Sequence, residues 1–329
     1  MGPAHRGYLP TAHEVFPMIA TMMAKGILSW IPGVTRTLYN RTAAAGTDSA
    51  AYCYGVWIKH LALLSAAGMS APPRSVLELG PGASLGAGLA ALLSGAERYH
   101  AIDALAHLRP GANLSVFSSL TALFRARAPV RSGFPPIAEH LDERGFLSGV
   151  LRDDRLDAAL HPERLDRIVR SIGELEAGGR DGMLRYSTWD APDPLPERPV
   201  DLLFSHVVLN QVRDLDDVYK ACGLSVARGG WTSHQIDFSC FNSAREWNGH
   251  LAYGDLAWKV LSGRRPYFVN RARLGHHLAL FERHGFDVIR VIRGHGEEGI
   301  QRARLSPRFR AVTDEDLATQ AAFVIARKR

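Results

Sequence analysis

Apolar positions along this chain fall into two alternating rhythms. Short runs at Ser75–Leu79, Arg98–Asp103, Gly182–Asp190, Leu202–Ser205, Trp231–Ile236, Gly285–Val291 and Thr319–Arg327 read as strands. Between them, Ser84–Leu93, Val116–Arg127, Asp214–Ala227 and Asn270–His284 read as helices. The first of these places Leu85, Leu89, Leu92 and Leu93 on one helical face. Strands alternating with helices predict a parallel sheet of the α/β class. The turn Ala227-Arg228-Gly229-Gly230 is expected to deliver the chain into the Trp231–Ile236 strand.

Three regions stand outside that alternation. Residues 1–74 read as helical, with Met18–Trp30, a polar break at Asn40–Ser49, and Ala50–Ala67. On the last of these, Tyr54, Trp57 and Leu61 share a face. That stripe is either core packing or a lid over a binding site, with Tyr52 and His60 supplying polar contacts. Residues of about 108–181 are longer than one crossover needs and carry charged helical pieces through Glu163–Glu176. Their charges read as a solvated face, with a homo-oligomer contact or a pocket wall as the alternative. Residues of about 238–270 are rich in Trp, Tyr, Asn, His and Arg, which suits an acceptor pocket. The predicted domains are therefore 1–74, a helical lid or packing region, and 75–329, the sheet domain.

Composition narrows the function. The chain has 329 residues, 46% hydrophobic and 22% charged, with a net charge of +6. Its basic residues are spread along the chain, nearly all Arg, with no dense block, so no nucleic-acid partner is expected. The apolar segment Phe16–Val34 is broken by Lys25, Gly26, Pro32 and Gly33 and does not read as a membrane span. Cys53, Cys222 and Cys240 are far apart and lack metal-ligand spacing, so a reducing cytoplasmic location is expected. No signal peptide is read at the N-terminus.

The chemistry centres on Glu78-Leu79-Gly80-Pro81-Gly82. A strand, a glycine turn and a helix start present backbone N–H groups that suit an anionic part of a cofactor. A dinucleotide fingerprint has two residues between its second and third glycines. Here Ala83, Ser84 and Leu85 separate Gly82 from Gly86, one too many. The segment resembles motif I of class I S-adenosylmethionine-dependent methyltransferases. Asp103, at the end of the second strand, matches the family's ribose-binding acid. Trp189-Asp190 resembles its adenine contact. Ser205 and the following Val207–Val212 resemble the segment after its fourth strand, with Asn210-Gln211 in place of the usual Glu-His.

The resemblance implies a Rossmann-like fold with a seven-stranded, mostly parallel sheet and an antiparallel last strand between the fifth and sixth. It implies S-adenosyl-L-methionine as cofactor, S-adenosylhomocysteine as product, and Glu78, Gly80, Pro81, Gly82, Asp103, Trp189, Asp190 and Ser205 around it. For a hydroxyl acceptor a histidine base is useful. His234 and then His206 are the first candidates, followed by His250, with Asp237 to orient one of them. Tyr54, Trp57, Trp247 and Tyr267 are candidate walls of the acceptor site. Arg264, Arg265 and Arg271 would suit a phosphate or carboxylate on the acceptor. A metal would need His206, His234, Asp237 and His250 to converge; none is assigned. The expected activity is O-methylation of a sugar or natural-product hydroxyl. The alternatives are C-methylation of a prenyl diphosphate, a NAD-dependent oxidoreductase or epimerase, and a non-catalytic binding module.

Overall fold

Seven strands form one sheet: β1 (Ser75–Leu79), β2 (Arg98–Asp103), β3 (Leu184–Thr188), β4 (Val200–His206), β5 (Val226–Asp237), β6 (Phe286–His295) and β7 (Thr319–Lys328). Their order is β3-β2-β1-β4-β5-β7-β6. The pairs among β1 to β5 are parallel, and β7 runs antiparallel to both β5 and β6. This is the Rossmann-like arrangement expected above. The computed structural model describes residues 12–31, 46–109, 111–130, 133–179, 182–265 and 267–329. In the first helix, side chains are described from residue 19 onward. Of the expected polar break, residues 40–45 lie outside the described residues, as does Pro266.

Ten helices accompany the sheet among the described residues: α1 (Ala12–Leu28), α2 (Ala50–Ala66), α3 (Gly86–Leu93), α4 (Ala112–Arg125), α5 (Asp153–Ala159), α6 (Pro162–Glu176), α7 (Leu215–Ser225), α8 (Asp255–Ser262), α9 (Leu274–Arg283) and α10 (Asp314–Ala318). Local chemistry fixes several of the ends. Asp214 caps α7 by accepting from the Asp217 N–H, and Asp216 and Asp217 favour its first turn. Ser49 caps α2 in the same way through the Tyr52 N–H.

Two apolar layers clamp the sheet. One face presents Val76, Tyr99, Ala101, Leu202, Phe204, Phe323 and Ile325 to the side of α2, α3 and α4. The other presents Leu77, Ile102, Leu203, Ile236 and Val324 to α7 and α9. Helix α3 lies hard against β2: a Cβ on Gly88 would fall 2.0 Å from the Tyr99 ring, so only glycine allows that approach. Helix α2 is buried all round, with every side chain from Val56 to Leu64 enclosed.

Two details differ from the sequence reading. The Ala227–Gly230 turn is absorbed into β5. Val226 sits opposite Val200 but Trp231 opposite Leu202, which leaves the intervening residues as a bulge with Gly229 at φ +73°. Among the described residues, helix α1 docks mainly against α8 in the second insertion and not on the core; a Cβ on Gly26 would fall 2.3 Å from the Val260 carbonyl oxygen. The β3–β4 connection, residues 189–199, is a helix-free loop that carries Pro192, Pro194, Pro196 and Pro199. No described helix is long and apolar enough to cross a membrane.

Candidate active site at the carboxyl edge of the sheet

The glycine turn after β1 is held by its neighbours. Gly80 and Gly82 adopt φ +69° and +78°, where a side chain is strained. The Val208 side chain, in the segment after β4, stands 2.5 Å from where a Gly80 Cβ would be. Val207 before it takes φ +59°, a costly conformation for a β-branched residue. The turn's amides are mostly engaged, contrary to the expectation that they face a ligand. Gly80 N–H donates to the Ile102 carbonyl (2.8 Å) and Gly82 N–H to Asp103 Oδ2 (3.2 Å). Ala83 N–H donates to Thr47 Oγ1 (2.8 Å), and Leu85 N–H to Asn113 Oδ1 (2.9 Å). The Ser84 hydroxyl donates in turn to the Thr47 carbonyl at 2.5 Å.

Two carboxylates flank the turn. Glu78 is buried in β1 and accepts from the Tyr99 hydroxyl at 2.5 Å. Burial pushes its carboxyl up to about 8. Asp103 ends β2, buried, and also accepts from the Ala104 N–H at 2.7 Å. Burial raises its pKa, opposed by the nearby His107. Trp189 joins this edge through its N–H, which donates to the Asp103 carbonyl (2.8 Å), with Asp190 next along. Tyr267 from the second insertion packs edge-on against His107, centroids 5.6 Å apart.

Beside β4 and β5 a polar chain runs under α2. The Ser233 hydroxyl meets His60 Nδ1 at 2.7 Å, and His60 Nε2 meets His206 Nδ1 at 3.2 Å. His60 and Ser233 are fully buried, whereas His206 is half-buried. Tyr52 lies edge-on to His206. Lys59 Nζ donates to the Phe134 carbonyl (2.7 Å) and to Gln235 Oε1 (3.2 Å). Desolvation lowers the Lys59 ammonium to about 8. Burial, then the Lys59 charge, pushes His206 down to about 3. Strand alternation puts Asp237 on the side of Ser233 and Gln235. Its Oδ1 accepts from Ser239 N–H at 2.8 Å, and burial raises its carboxyl.

Other sequence candidates land elsewhere. His234 is fully buried on the opposite face of β5, with Nδ1 2.8 Å from the Ser205 hydroxyl and its ring against Phe281. Neither His234 nor Ser205 reaches the carboxyl-edge site, because neighbouring strand residues point to opposite faces. His250 is buried in the second insertion beside Trp258. Tyr54 packs on Phe124 and bonds the Ala128 carbonyl, and Trp57 packs on Phe204 and bonds Ser94, so both are core. The arginines do not converge. Arg264 stacks on Trp30, Arg265 donates to the Met22 carbonyl, and Arg271 pairs with Asp255 at 2.6 Å. Trp247 lies under Arg273, with its indole nitrogen buried and unbonded.

Sequence reading passed over Lys59, Ser233, Gln235 and Thr47. The available signal for Lys59 was a cation inside an otherwise apolar helix. Asn210, noted only as a motif departure, is buried with both side-chain polar atoms unbonded. Its turn is clamped by Asn270, whose amide donates to the Leu209 and Val212 carbonyls at 2.7 and 2.9 Å. Among the described residues no three His, Cys, Asp or Glu side chains stand as a metal ion would require.

No protein-family model matches the chain, and no curated protein matches it. Solved structures align along most of it. An S-adenosylmethionine-dependent methyltransferase of Mesorhizobium loti is 15% identical over 86% of this chain and 100% of its own, with a TM-score of 0.37. Phosphoethanolamine N-methyltransferase 2 of Haemonchus contortus, solved with S-adenosyl-L-methionine, is 15% identical over 89% of this chain and 60% of its own, TM-score 0.42. The N-methyltransferase NodS of Bradyrhizobium japonicum, solved with S-adenosyl-L-homocysteine, is 11% identical over 82% and 85%, TM-score 0.37. At such distance, what the site binds rests on its own residues.

Proposed function

We propose that the chain is an S-adenosylmethionine-dependent methyltransferase that acts on a hydroxyl of a small molecule. The observation that carries this reading is Asp103. Its buried carboxylate sits one hydrogen bond from the glycine turn, at the carboxyl edge of a sheet with β7 reversed between β5 and β6. Open α/β sheets bind ligands at that edge. The residues fit the cofactor's chemistry. Asp103 would accept from ribose hydroxyls, and Trp189 and Asp190 would face the base. Glu78, a buried acid bonded by Tyr99, would meet the ammonium.

When bound, the cofactor supplies a methyl group already activated on a sulfonium. The chain's own task is to position the acceptor, exclude water and take one proton. His206 would do the last, receiving the acceptor hydroxyl's proton at Nε2. His60 and Ser233 fix which His206 nitrogen is free, since Nδ1 is engaged by His60. The dispersal of Arg264, Arg265 and Arg271 removes the main support for an anionic acceptor.

The first test is calorimetric titration with S-adenosylhomocysteine. Wild-type protein is expected to bind in the micromolar range and Asp103→Ala at least tenfold more weakly. No binding by the wild type overturns the proposal. The same titration reads Glu78. With its carboxyl near 8 it is mostly protonated at pH 7, and an ammonium beside it favours ionisation. Binding should then release a proton, seen as buffer-dependent heat, and Glu78→Gln should abolish that release.

A further inference from the structure

The helix-free β3–β4 loop borders a second cleft, at the opposite edge of the sheet from the site above. It has a volume of about 370 Å³ and opens where β1, β2 and β4 begin. Arg98, His100, Arg185 and Arg198 line it, against one acid, Glu197. His100 and Arg185 are register partners on β2 and β3, so both rise from the same face of the sheet. That face is roofed here by the proline-rich loop instead of a crossover helix. From the surface this is a cationic pocket with a sheet floor.

Its floor is incompletely bonded. His100 is buried, its Nε2 lies 3.2 Å from the Ser187 hydroxyl, and its Nδ1 is buried without a partner. The Arg185 Nε is likewise buried without a partner. The rest of that guanidinium holds the Asp193 carbonyl (2.8 Å) and an exposed Glu197 oxygen at 3.4 Å, the long end of an ion pair. A buried donor left unpaired costs about 1–3 kcal/mol, so this floor favours a ligand that accepts hydrogen bonds. Arginine's planar fork suits an oxyanion.

We propose that this cleft is an anion-binding site for a small phosphomonoester, separate from the methyl-transfer site. The phosphate is held by Arg185 and the neutral His100 N–H on the sheet floor, with Arg98 and Arg198 at the rim and Glu197 displaced outward. Burial and the Arg185 charge keep His100 neutral, lowering it to about 4, so it serves as a donor without carrying charge. This inference does not depend on the identity of the cofactor.

The test titrates the full-length protein with inorganic phosphate at constant ionic strength, by calorimetry and by long-range proton–nitrogen spectra of the histidine rings. Expected are saturable millimolar binding, movement of the His100 nitrogens, at least tenfold weaker binding in Arg185→Gln and several-fold weaker binding in Arg198→Gln. Arg198 is exposed, so that variant keeps the test decisive if Arg185→Gln folds poorly. S-adenosylhomocysteine affinity should be unchanged in both. Linear uptake without saturation, equal affinity in Arg198→Gln and wild type, or an unmoved His100 signal would each overturn the site.

Discussion

Two Ser-His dipeptides, Ser205-His206 on β4 and Ser233-His234 on β5, stand side by side in the sheet and end in opposite situations. On the α7–α9 face, Ser205 pairs with His234 and both are sealed in the core. On the α2 face, Ser233 pairs with His60, which passes the contact to His206 at the half-open strand end. The residue types are the same. What differs is one position of offset along a pleated strand, which sends to each face the serine of one dipeptide and the histidine of the other. The first pair is closed within the core; the second holds His206 by its Nδ1 at a half-buried strand end.

The largest expected effect is on rate. On the proposed methyl transfer, His206→Gln should lower kcat by ~10²-fold, the low end for a general base, because burial holds its imidazole well below neutral. Its S-adenosylhomocysteine affinity should hold. His234→Leu should leave the pH profile of turnover in place but cost about 1–3 kcal/mol in urea unfolding, because the buried Ser205 hydroxyl loses its partner. Should the two phenotypes exchange, the division of labour drawn here is wrong.

A smaller effect concerns acid. Burial lowers His234 to about 3 in the folded state, far below its unfolded value near 6.5. Between those values the unfolded chain binds the extra proton, so stability is present above pH 6.5 and is lost as pH falls through the window. The slope is ~1.4 kcal/mol per pH unit for one proton. Removing His234 should flatten the pH dependence of unfolding by about one proton. A slope unchanged in His234→Leu would show that the ring is already charged in the fold.

The sheet was legible in the sequence because buried strands are short apolar runs bounded by Gly, Pro and charge. β1 and β2 match their expected limits to the residue. Asp103 was legible for the same reason, as the acid that ends such a run. Facing was not legible. A parallel strand apolar on both sides shows no alternation, so nothing local says that His206 looks outward and His234 inward. Helix α2 posed the same difficulty: buried all round, it gave Tyr54 and Trp57 no distinguishable outer side. The arginines misled because a guanidinium can be satisfied by an aromatic ring or a carbonyl as readily as by an anion.

Thr47 carries a kinetic consequence. Its hydroxyl holds the Ala83 amide and its carbonyl holds the Ser84 hydroxyl, so this residue is latched across the glycine turn. A ligand that claims that amide must wait for the latch to lift. Association is then a first-order opening followed by capture, and the observed rate should level off with concentration instead of climbing in proportion. Thr47→Val, which cannot accept from the amide, would restore the climb. The residence time of a bound ligand would then be set at this residue.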